Sequence, residues 1–442
     1  MFRVLVALIF LVSAALQAAQ AQLRGHGGPV RALAISSDGT QAVSGSFDTA
    51  IIRWSLARNA AEQVLRFHDG AVNAVVFLRD GGIASSGEDA RIALWRAGEP
   101  QPATVLTGHQ APVVALALSP DGTMLASASW DHTARVWPLG AVSGKAGTGF
   151  PTIESSGGAS RVIEGHSQNV NGVAFSADGR SLVTAGYDAT LRITPLAGAG
   201  APVVANLPVP LNAVAVAPDG EIVTAGADGK VYALSPAGER KGEIEAAKTP
   251  IIALALSRDG RLIAAAGIRG SVAIIDRAAR KLERVLVGPG LPVWSVAFFP
   301  DNRTLLTGGT DRVIRRWDAA SGEPIGNLVM GTPEDPLAAF AGDPGAEVFR
   351  ACVACHTLRA GEGVRAGPTL AGIFGRRIAT LPGYNFSPSL KKLDIVWTPQ
   401  TVSKLFELGP MTYTPGTKMP EQKIGSAADR AALVKFLERA TK

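Results

Sequence analysis

A short turn signal recurs at nearly even spacing between residues 23 and 330, and this repeat restricts the fold more than any other feature. The seven turns are Asp38-Gly39, Asp80-Gly81, Asp121-Gly122, Asp178-Gly179, Asp219-Gly220, Asp259-Gly260 and Asp301-Asn302. Successive Asp residues are 42, 41, 57, 41, 40 and 42 positions apart, and short apolar or alternating runs flank each turn. Because Asp-Gly supplies the positive φ of a tight hairpin, the pattern predicts seven similar β units.

Three kinds of residue recur at fixed places in these units. A pair ending in His opens four units, at Gly25-His26, Phe67-His68, Gly108-His109 and Gly165-His166. An Asp follows the second strand at Asp48, Asp89, Asp131, Asp188, Asp228 and Asp311, and a Trp follows six residues later at Trp54, Trp95, Trp137 and Trp317. The pattern resembles the WD40 family. That resemblance implies an all-β, seven-bladed propeller over residues 22–330 that docks other proteins.

The pattern weakens in the later repeats. Thr194, Leu234 and Ile275 stand where repeats four to six would have the Trp, and Arg269 replaces the sixth Asp. Their alternating strands still predict blades. The WD40 resemblance also implies that the repeated His and Asp residues form a buried structural network, rather than a catalytic or metal site.

Two details of the ring stay open at this stage. The outer strand of the last blade comes either from the segment around Leu23 or from the segment around Ile325–Val329. The 57-residue interval contains an insert from Pro138 to Ser160, rich in Gly, Ser and Ala, which predicts a disordered loop on the rim.

The C-terminal part contains Cys352-Val-Ala-Cys355-His356, the attachment signature of c-type haem. Two thiols at this spacing each form one thioether to the porphyrin, and the His is placed under the iron as an axial ligand. A thioredoxin-like pair would need a βαβ context, and a structural zinc site would need four ligands. The chain has only two Cys, so the motif favours one covalent haem c.

Residues 343–442 resemble small class I (mitochondrial-type) cytochromes c, after a linker over residues 331–342. The resemblance implies an all-α domain in which Gly345 and Phe436 lie at the crossing of the first and last helices. The resemblance also implies that Met419 is the second axial ligand of the iron. It implies that the Pro368 carbonyl accepts a hydrogen bond from the ring N–H of His356. Two further residues, Arg376 and Trp397, are implied to bind a haem propionate.

Two aromatic residues depart from that family pattern. Phe386 and Phe406 stand where many relatives carry a Tyr, so we expect altered hydrogen bonding beside the haem. Five lysines are expected to form a basic rim that steers the domain towards acidic partners, namely Lys391, Lys392, Lys404, Lys418 and Lys423.

The N-terminus has the pattern of an export signal. Arg3 precedes an apolar run from Val4 to about Leu16, and Ala19-Gln20-Ala21 offers a small-x-small cleavage site. We therefore predict a signal peptide over residues 1–21, a periplasmic mature protein, and no transmembrane segment after cleavage. The alternative is an uncleaved anchor. The net charge is +6, without the dense basic and aromatic clusters of nucleic-acid-binding proteins.

Together these features predict a non-enzymatic electron carrier whose propeller holds a redox partner, such as a periplasmic or membrane-bound oxidoreductase. One alternative is a reductase-like enzyme with a second cofactor in the propeller, for which only His132 is uncommitted among the propeller His residues. Another alternative is a haem-based redox sensor or scaffold. The sequence does not identify the electron donor or acceptor.

Overall fold

The chain forms two compact units that divide between residues 326 and 337. The computed structural model describes residues 22–139, 160–198, 200–287, 291–326, 337–349, 352, 356–360, 367–382, 384, 386, 388–415, 417, 419 and 423–442. The predicted export signal, residues 140–159 of the insert, residues 331–336 of the linker, Cys355 and Lys418 therefore lie outside the described residues.

The larger unit contains seven antiparallel four-stranded sheets, which are the blades of the predicted propeller. The first strands are β2 (Val30–Ile35), β6 (Val72–Phe77), β10 (Val113–Leu118), β14 (Val170–Phe175), β18 (Leu211–Val216), β22 (Ile251–Leu256) and β26 (Val293–Phe298). The second strands are β3 (Gln41–Ser46), β7 (Ile83–Gly87), β11 (Met124–Ser129), β15 (Ser181–Gly186), β19 (Ile222–Gly226), β23 (Leu262–Gly267) and β27 (Thr304–Gly309).

The remaining strands complete the blades outwards. The third strands are β4 (Ala50–Ser55), β8 (Ile92–Trp95), β12 (Ala134–Pro138), β16 (Thr190–Pro195), β20 (Lys230–Leu234), β24 (Ser271–Asp276) and β28 (Val313–Asp318). The outer strands are β5 (Ala60–Arg66), β9 (Thr104–Leu106), β13 (Arg161–Ile163), β17 (Val203–Asn206), β21 (Arg240–Glu245), β25 (Lys281–Val287) and β1 (Gln22–Arg24). The insert connects the third strand of blade 3 to its outer strand.

The ring closes between the last and first blades. Each first strand contacts the first strand of the next blade, and β26 contacts β2. The outer strand of blade 7 is β1, in which Leu23 pairs with Ile314 of β28. Of the two segments that the sequence left open, the one around Leu23 therefore closes the ring. The Leu23 side chain is buried in the same apolar cluster as Trp54.

The seven predicted turns are present. Each joins the first strand of a blade to the second, and its second residue has φ between 58° and 88°. Six of these residues are Gly and the seventh is Asn302, the non-glycine residue type that most readily adopts this conformation. The repeated Asp-Gly signal therefore reports the real positions of the hairpins.

A hydrogen-bonded chain crosses blade 3 from its core to its end. The Trp137 indole N–H donates to Ser127 Oγ (2.9 Å), and Ser127 Oγ lies 2.8 Å from His109 Nε2. His109 Nδ1 lies 2.7 Å from the carboxylate of Asp131. Burial lowers the pKa of His109, although Asp131 opposes that shift. The imidazole is therefore neutral at pH 7, donates from Nδ1 and accepts at Nε2.

The same His–Asp pair recurs in the other blades that open with His. The Nδ1-to-carboxylate distances are 3.0 Å for His26–Asp48, 3.1 Å for His68–Asp89 and 3.1 Å for His166–Asp188. These side chains are almost completely buried. The predicted structural network is thus confirmed in four blades, and each of these His residues bonds within its own blade.

Blades 5 and 7 lack the opening His, and a residue four positions after the Asp replaces it. The Tyr232 hydroxyl donates to Asp228 at 2.5 Å, and Arg315 pairs with Asp311 at 2.5 Å. Burial and the charge of Asp228 both raise the pKa of Tyr232, so the phenol stays protonated as a donor. The loss of the opening His therefore does not leave the Asp side chain of these two blades without a partner.

The smaller unit has a helical framework linked by long irregular loops. Among its described residues, a 3₁₀ turn, Ala338–Phe340, precedes the helices α1 (Pro344–Phe349), α2 (Pro388–Lys391), α3 (Pro399–Leu408), α4 (Pro410–Tyr413) and α5 (Ala427–Ala440). Its described part also has one isolated β-bridge, between Arg377 and Val396. None of the helices in the described ranges is long and apolar enough to cross a membrane.

The helical unit begins earlier than the sequence predicts. Leu337 is only 1% exposed within its core, and the Phe340 ring packs edge-on against Phe436 at 5.1 Å. Both residues fall in the segment predicted as a linker, residues 331–342. Leu337 and Phe340 therefore contribute to the core of the helical unit, although they lie in the predicted linker.

Candidate functional site

The first and last helices of the smaller unit cross at Gly345. A Cβ at this position would overlap the backbone carbonyl of Ala432 and approach Phe436 Cβ to 2.5 Å. Phe349, one turn further along α1, packs on the Phe436 ring with centroids 5.5 Å apart. The predicted crossing is present, and it fixes the direction in which α1 leads into the cysteine motif.

Backbone hydrogen bonds connect the two described residues of the cysteine motif to the end of α1. The amide of Cys352 donates to the Phe349 carbonyl (2.7 Å), and the amide of His356 donates to the Cys352 carbonyl (2.9 Å). Cys352 is buried in the apolar core of the unit. The second hydrogen bond spans four residues as in an α-helix, so Cys352 and His356 lie on the same side of the turn.

The imidazole of His356 is held by the following loop. Its Nδ1 lies 2.8 Å from the carbonyl oxygen of Pro368. A carbonyl only accepts, so Nδ1 carries the proton and the lone pair is on Nε2. Gly367 lies against the same ring, since a Cβ there would come within 2.7 Å of Nδ1. A neutral imidazole in this tautomer is the form that ligates metals.

Arg376 holds the backbone of that loop. Its guanidinium donates to the carbonyls of Thr369 (3.3 Å) and Gly372 (3.3 Å), and also to that of Ala371. Thr369 directly follows Pro368, so the guanidinium restrains the loop whose carbonyl orients His356. The sequence did not indicate this role, because backbone acceptors leave no pattern in the residue types. Its predicted bond to a haem propionate stays a prediction.

Backbone pairing places Trp397 beside Arg376. The Trp397 amide donates to the Arg376 carbonyl (2.9 Å), and the Gly375 amide donates to the Trp397 carbonyl (2.8 Å). The half-buried Trp397 side chain packs against the core that contains Cys352. The two residues predicted to bind a propionate therefore lie next to each other, although 21 positions separate them in the sequence.

Met419 lies in a loop anchored on both sides. Its amide donates to Thr417 Oγ1 (3.1 Å). After the loop, the Ile424 amide donates to the Phe406 carbonyl (2.9 Å). Phe406 is buried in α3, and Met419 packs half-buried against the same apolar core as Cys352. Cys352, Met419 and Phe406 are thus gathered in one cluster. The role of Met419 as a ligand stays a prediction.

The sequence analysis did not single out Tyr384. Its ring packs against Phe386, with centroids 4.6 Å apart, so a Tyr lies beside the position where many relatives carry one. The two aromatic residues are separated by only one residue in the sequence, and this spacing was the signal that could have indicated the contact.

The predicted lysine rim is accessible where the structure describes it. Lys391 and Lys392 are exposed at the end of α2, Lys404 is exposed on α3, and Lys423 is exposed after the Met419 loop. His132, the propeller His without a predicted role, is exposed in a turn with φ of 69°. The described residues contain no cluster of three or more His, Cys, Asp or Glu placed to hold a metal ion.

Two family models match different parts of the chain. The model described as "WD domain, G-beta repeat" matches residues 18–55, 60–96, 100–138, 157–194 and 280–318. The model described as "Cytochrome c" matches residues 342–441. The first leaves residues 195–279 unmatched, where the structure nevertheless contains blade 5 and the first three strands of blade 6.

Curated relatives match the C-terminal domain over almost their whole length. "Cytochrome c" of Cochliobolus lunatus is 41% identical over 99 residues, which is 22% of this chain and 91% of the relative. "Cytochrome c" of Arabidopsis thaliana is also 41% identical over 99 residues, 22% of this chain and 88% of the relative. "Cytochrome c type-1" of Ascaris suum is 38% identical over 113 residues, 25% of this chain and 96% of the relative.

Proposed function

The chain belongs to the cytochrome c family through its C-terminal domain, and from that premise we propose that it is a periplasmic electron-transfer protein. Its all-α class I domain carries one electron at a time, and its WD40 propeller docks the redox partner. Tethering a partner in this way raises the effective concentration of that partner around the haem, without new contacts at the haem itself. The apolar N-terminal run and its small-x-small site support export.

Membership of this family implies a covalently bound haem c. When bound, the haem takes up and releases one electron. We assign its thioethers to Cys352 and Cys355 and its axial ligands to His356 and Met419. The described residues fit this group, because the His356 lone pair is on Nε2 and Gly367 leaves no Cβ against the ring.

The hydrogen bond between His356 and Pro368 is the observation that carries the proposal. It fixes the tautomer and ring orientation of a metal-binding imidazole and makes that imidazole more electron-donating. Arg376 in turn restrains the loop that supplies the carbonyl. Such support is expected where a ligand must keep one geometry in two redox states.

If His356 and Met419 both bind the iron, no coordination position would remain for a substrate, which favours electron transfer over catalysis. The exposed Lys391, Lys392 and Lys404 support docking to an acidic surface of the partner. The rival enzyme would need a second cofactor in the propeller. Four propeller His residues already bond to an Asp of their own blade, which does not favour it.

The axial assignment is tested by two matched variants of the full-length protein. Ferric haem bound by a thioether sulfur has a weak near-infrared absorption band. We expect this band in the wild type and in Met411→Leu, and its loss in Met419→Leu. Retention of the band in Met419→Leu would assign the sulfur ligand to another residue.

The docking function is tested by adding the full-length protein to periplasmic extract. We expect it to co-elute with an oxidoreductase that reduces or reoxidises its haem within the isolated complex. If the extract rapidly cycles the haem but no complex is held, the protein is a diffusing carrier and the propeller has another role. A haem that the extract does not oxidise or reduce would contradict electron transfer itself.

A further inference from the structure

Two helices of the helical domain are capped at the C-terminal end by a buried threonine. Thr441 follows α5 and Thr414 follows α4, and the two residues are only 2% and 3% exposed. Each hydroxyl donates to the carbonyl four residues earlier, from Thr441 to Leu437 (2.7 Å) and from Thr414 to Pro410 (2.9 Å). Helix α3 ends instead at Gly409, which has no side chain for such a bond.

The hydroxyl bond fixes the backbone of the threonine more than it caps the helix. The Leu437 and Pro410 carbonyls already accept the amides of Thr441 and Thr414 (3.1 and 2.9 Å), so the hydroxyls are not needed to satisfy them. With both its amide and its hydroxyl held on one oxygen, each threonine is confined to one rotamer and one backbone conformation. Because both residues are buried, water does not readily replace the hydroxyl.

That backbone conformation directs the carbonyl of each threonine away from its helix. The ψ angles are 10° at Thr441 and 70° at Thr414, whereas a helical residue has a ψ of about −42°. Carbonyls at a helix end have no partner within the helix and bind other groups. Each threonine therefore presents a carbonyl in a fixed position to a neighbouring loop.

The Thr441 carbonyl holds the loop that orients His356. It accepts the Gly372 amide (2.5 Å), and the Gly372 carbonyl accepts from Arg376 Nε (3.3 Å). The same guanidinium donates to the carbonyl of the residue after Pro368 (3.3 Å). A continuous set of hydrogen bonds thus connects the end of α5 to the loop whose carbonyl fixes the His356 ring.

The Thr414 carbonyl holds the loop that carries Met419. It accepts the Thr417 amide (3.0 Å), and Thr417 Oγ1 accepts the Met419 amide (3.1 Å). Tyr413, which precedes Thr414, packs against the same apolar core as Met419. Two different segments thus have the same arrangement, and in each the threonine carbonyl binds the loop of one proposed axial ligand.

We propose that Thr441 and Thr414 are positioning residues for the two axial ligands, Thr441 for His356 and Thr414 for Met419. The proposal rests on the axial assignment and extends it to two residues that act through their neighbours. Each hydroxyl restrains one loop, so the geometry on one side of the iron is set independently of the other side. Restraints outside the direct ligands tune the properties of a metal site.

The test uses four variants of the full-length, haem-loaded protein. Thr441→Val and Thr414→Val remove one hydroxyl each at nearly constant volume. Thr441→Ser and Thr414→Ser keep the hydroxyl and should behave like the wild type. Proton NMR of the reduced protein gives the exchange rate of the Gly372 amide and the position of the His356 ring N–H signal. Titration of the ferric protein with imidazole gives the concentration that abolishes the near-infrared band of a thioether ligand.

Each valine variant should change one side of the iron only. Thr441→Val should speed exchange of the Gly372 amide about fivefold, move the His356 ring N–H signal and raise the reduction potential. The imidazole concentration should stay as in the wild type. Thr414→Val should lower that concentration about fivefold, while the Gly372 exchange rate and the His356 signal stay unchanged.

The proposal and the axial assignment fail in different ways. In a wild type that shows the near-infrared band, valine variants that change both sides together, or neither side, would overturn the proposal. Serine variants that behave like the valine variants would also overturn it, since the hydroxyl would not be the cause. If the wild type lacks the band, the assignment of Met419 is wrong and the role of Thr414 fails with it. The Gly372 exchange rate and the His356 signal then still decide the role of Thr441.

Discussion

The propeller and the helical domain achieve their stability in opposite ways. The propeller repeats one polar motif in several blades, and its Asp accepts a hydrogen bond from His109 in one blade or from Tyr232 in another, and forms an ion pair with Arg315 in a third. The helical domain instead relies on individual contacts that are not repeated along the chain, such as the helix crossing at Gly345 and the bond between His356 and Pro368. Repetition tolerates replacement of a partner, whereas a contact present once does not.

The largest effect is expected from Gly345→Ala. The new Cβ would overlap the Ala432 backbone, which no side-chain rotation relieves, so we expect a loss of about 3 kcal/mol in the unfolding free energy of the helical domain. Haem absorbance during denaturant unfolding measures it. Gly425→Ala is the matched control, since nothing lies within 4 Å of a Cβ there. Equal stabilities of the two variants would show that the crossing is adaptable.

Tyr232→Phe should cost the propeller about 2 kcal/mol, because the Asp228 side chain loses its phenol donor. Denaturant unfolding followed by tryptophan fluorescence measures this change. Adding Asp228→Asn should recover most of the loss, and Tyr187→Phe, at an exposed hydroxyl, should cost almost nothing. An unchanged Tyr232→Phe variant would mean that Tyr232 does not replace the missing His.

Mild acid should destabilise the propeller before the helical domain. Burial lowers the pKa of His109 and His166 below their ordinary value of 6.5. The unfolded chain therefore binds more protons than the folded chain below pH 6.5, and the unfolding free energy falls as the pH is lowered. The double variant His109→Gln/His166→Gln should show a flatter pH dependence between pH 7 and 5. An unchanged slope would exclude these two residues as its cause.

The smallest change in stability is expected from Arg376→Lys, at about 1 kcal/mol, because an ammonium group cannot reach three carbonyls as the guanidinium fork does. Its more specific effect should be on the haem. A looser Pro368 loop makes His356 less electron-donating, so the reduction potential should rise. Spectroelectrochemical titration measures the potential, with Arg377→Lys as the control. A stability loss with an unchanged potential would limit Arg376 to a structural role.

The sequence predicted the features that depend on residue type at a fixed spacing. All seven turns lie where the repeat placed them, because a positive φ is a property of Gly itself. The four His–Asp pairs and the helix crossing at Gly345 join residues that are distant in the sequence, and they were predicted only through the resemblance to WD40 repeats and to class I cytochromes c.

What the sequence could not predict depends on backbone register and on neighbours. Tyr232 and Arg315 replace the missing His only because strand geometry brings them to an Asp four residues earlier. The choice of Leu23 for the closing strand depends on three paired residues, too few for a hydrophobic pattern. Leu337 is buried in the core of the helical unit, although its sequence neighbours are typical of a linker.

The pairing of β1 with β28 has a consequence for the order of folding. Leu23 and Ile314 are joined in one ladder, so nearly the whole propeller separates the two strands that seal it. Forming that ladder closes a very long loop and costs conformational entropy. Contacts between residues so far apart in the sequence also slow folding. Six blades can assemble from neighbouring hairpins while the seventh still lacks its outer strand. The pairing of β1 with β28 is therefore expected to form last. Its separation is expected to be the first step in unfolding of the ring.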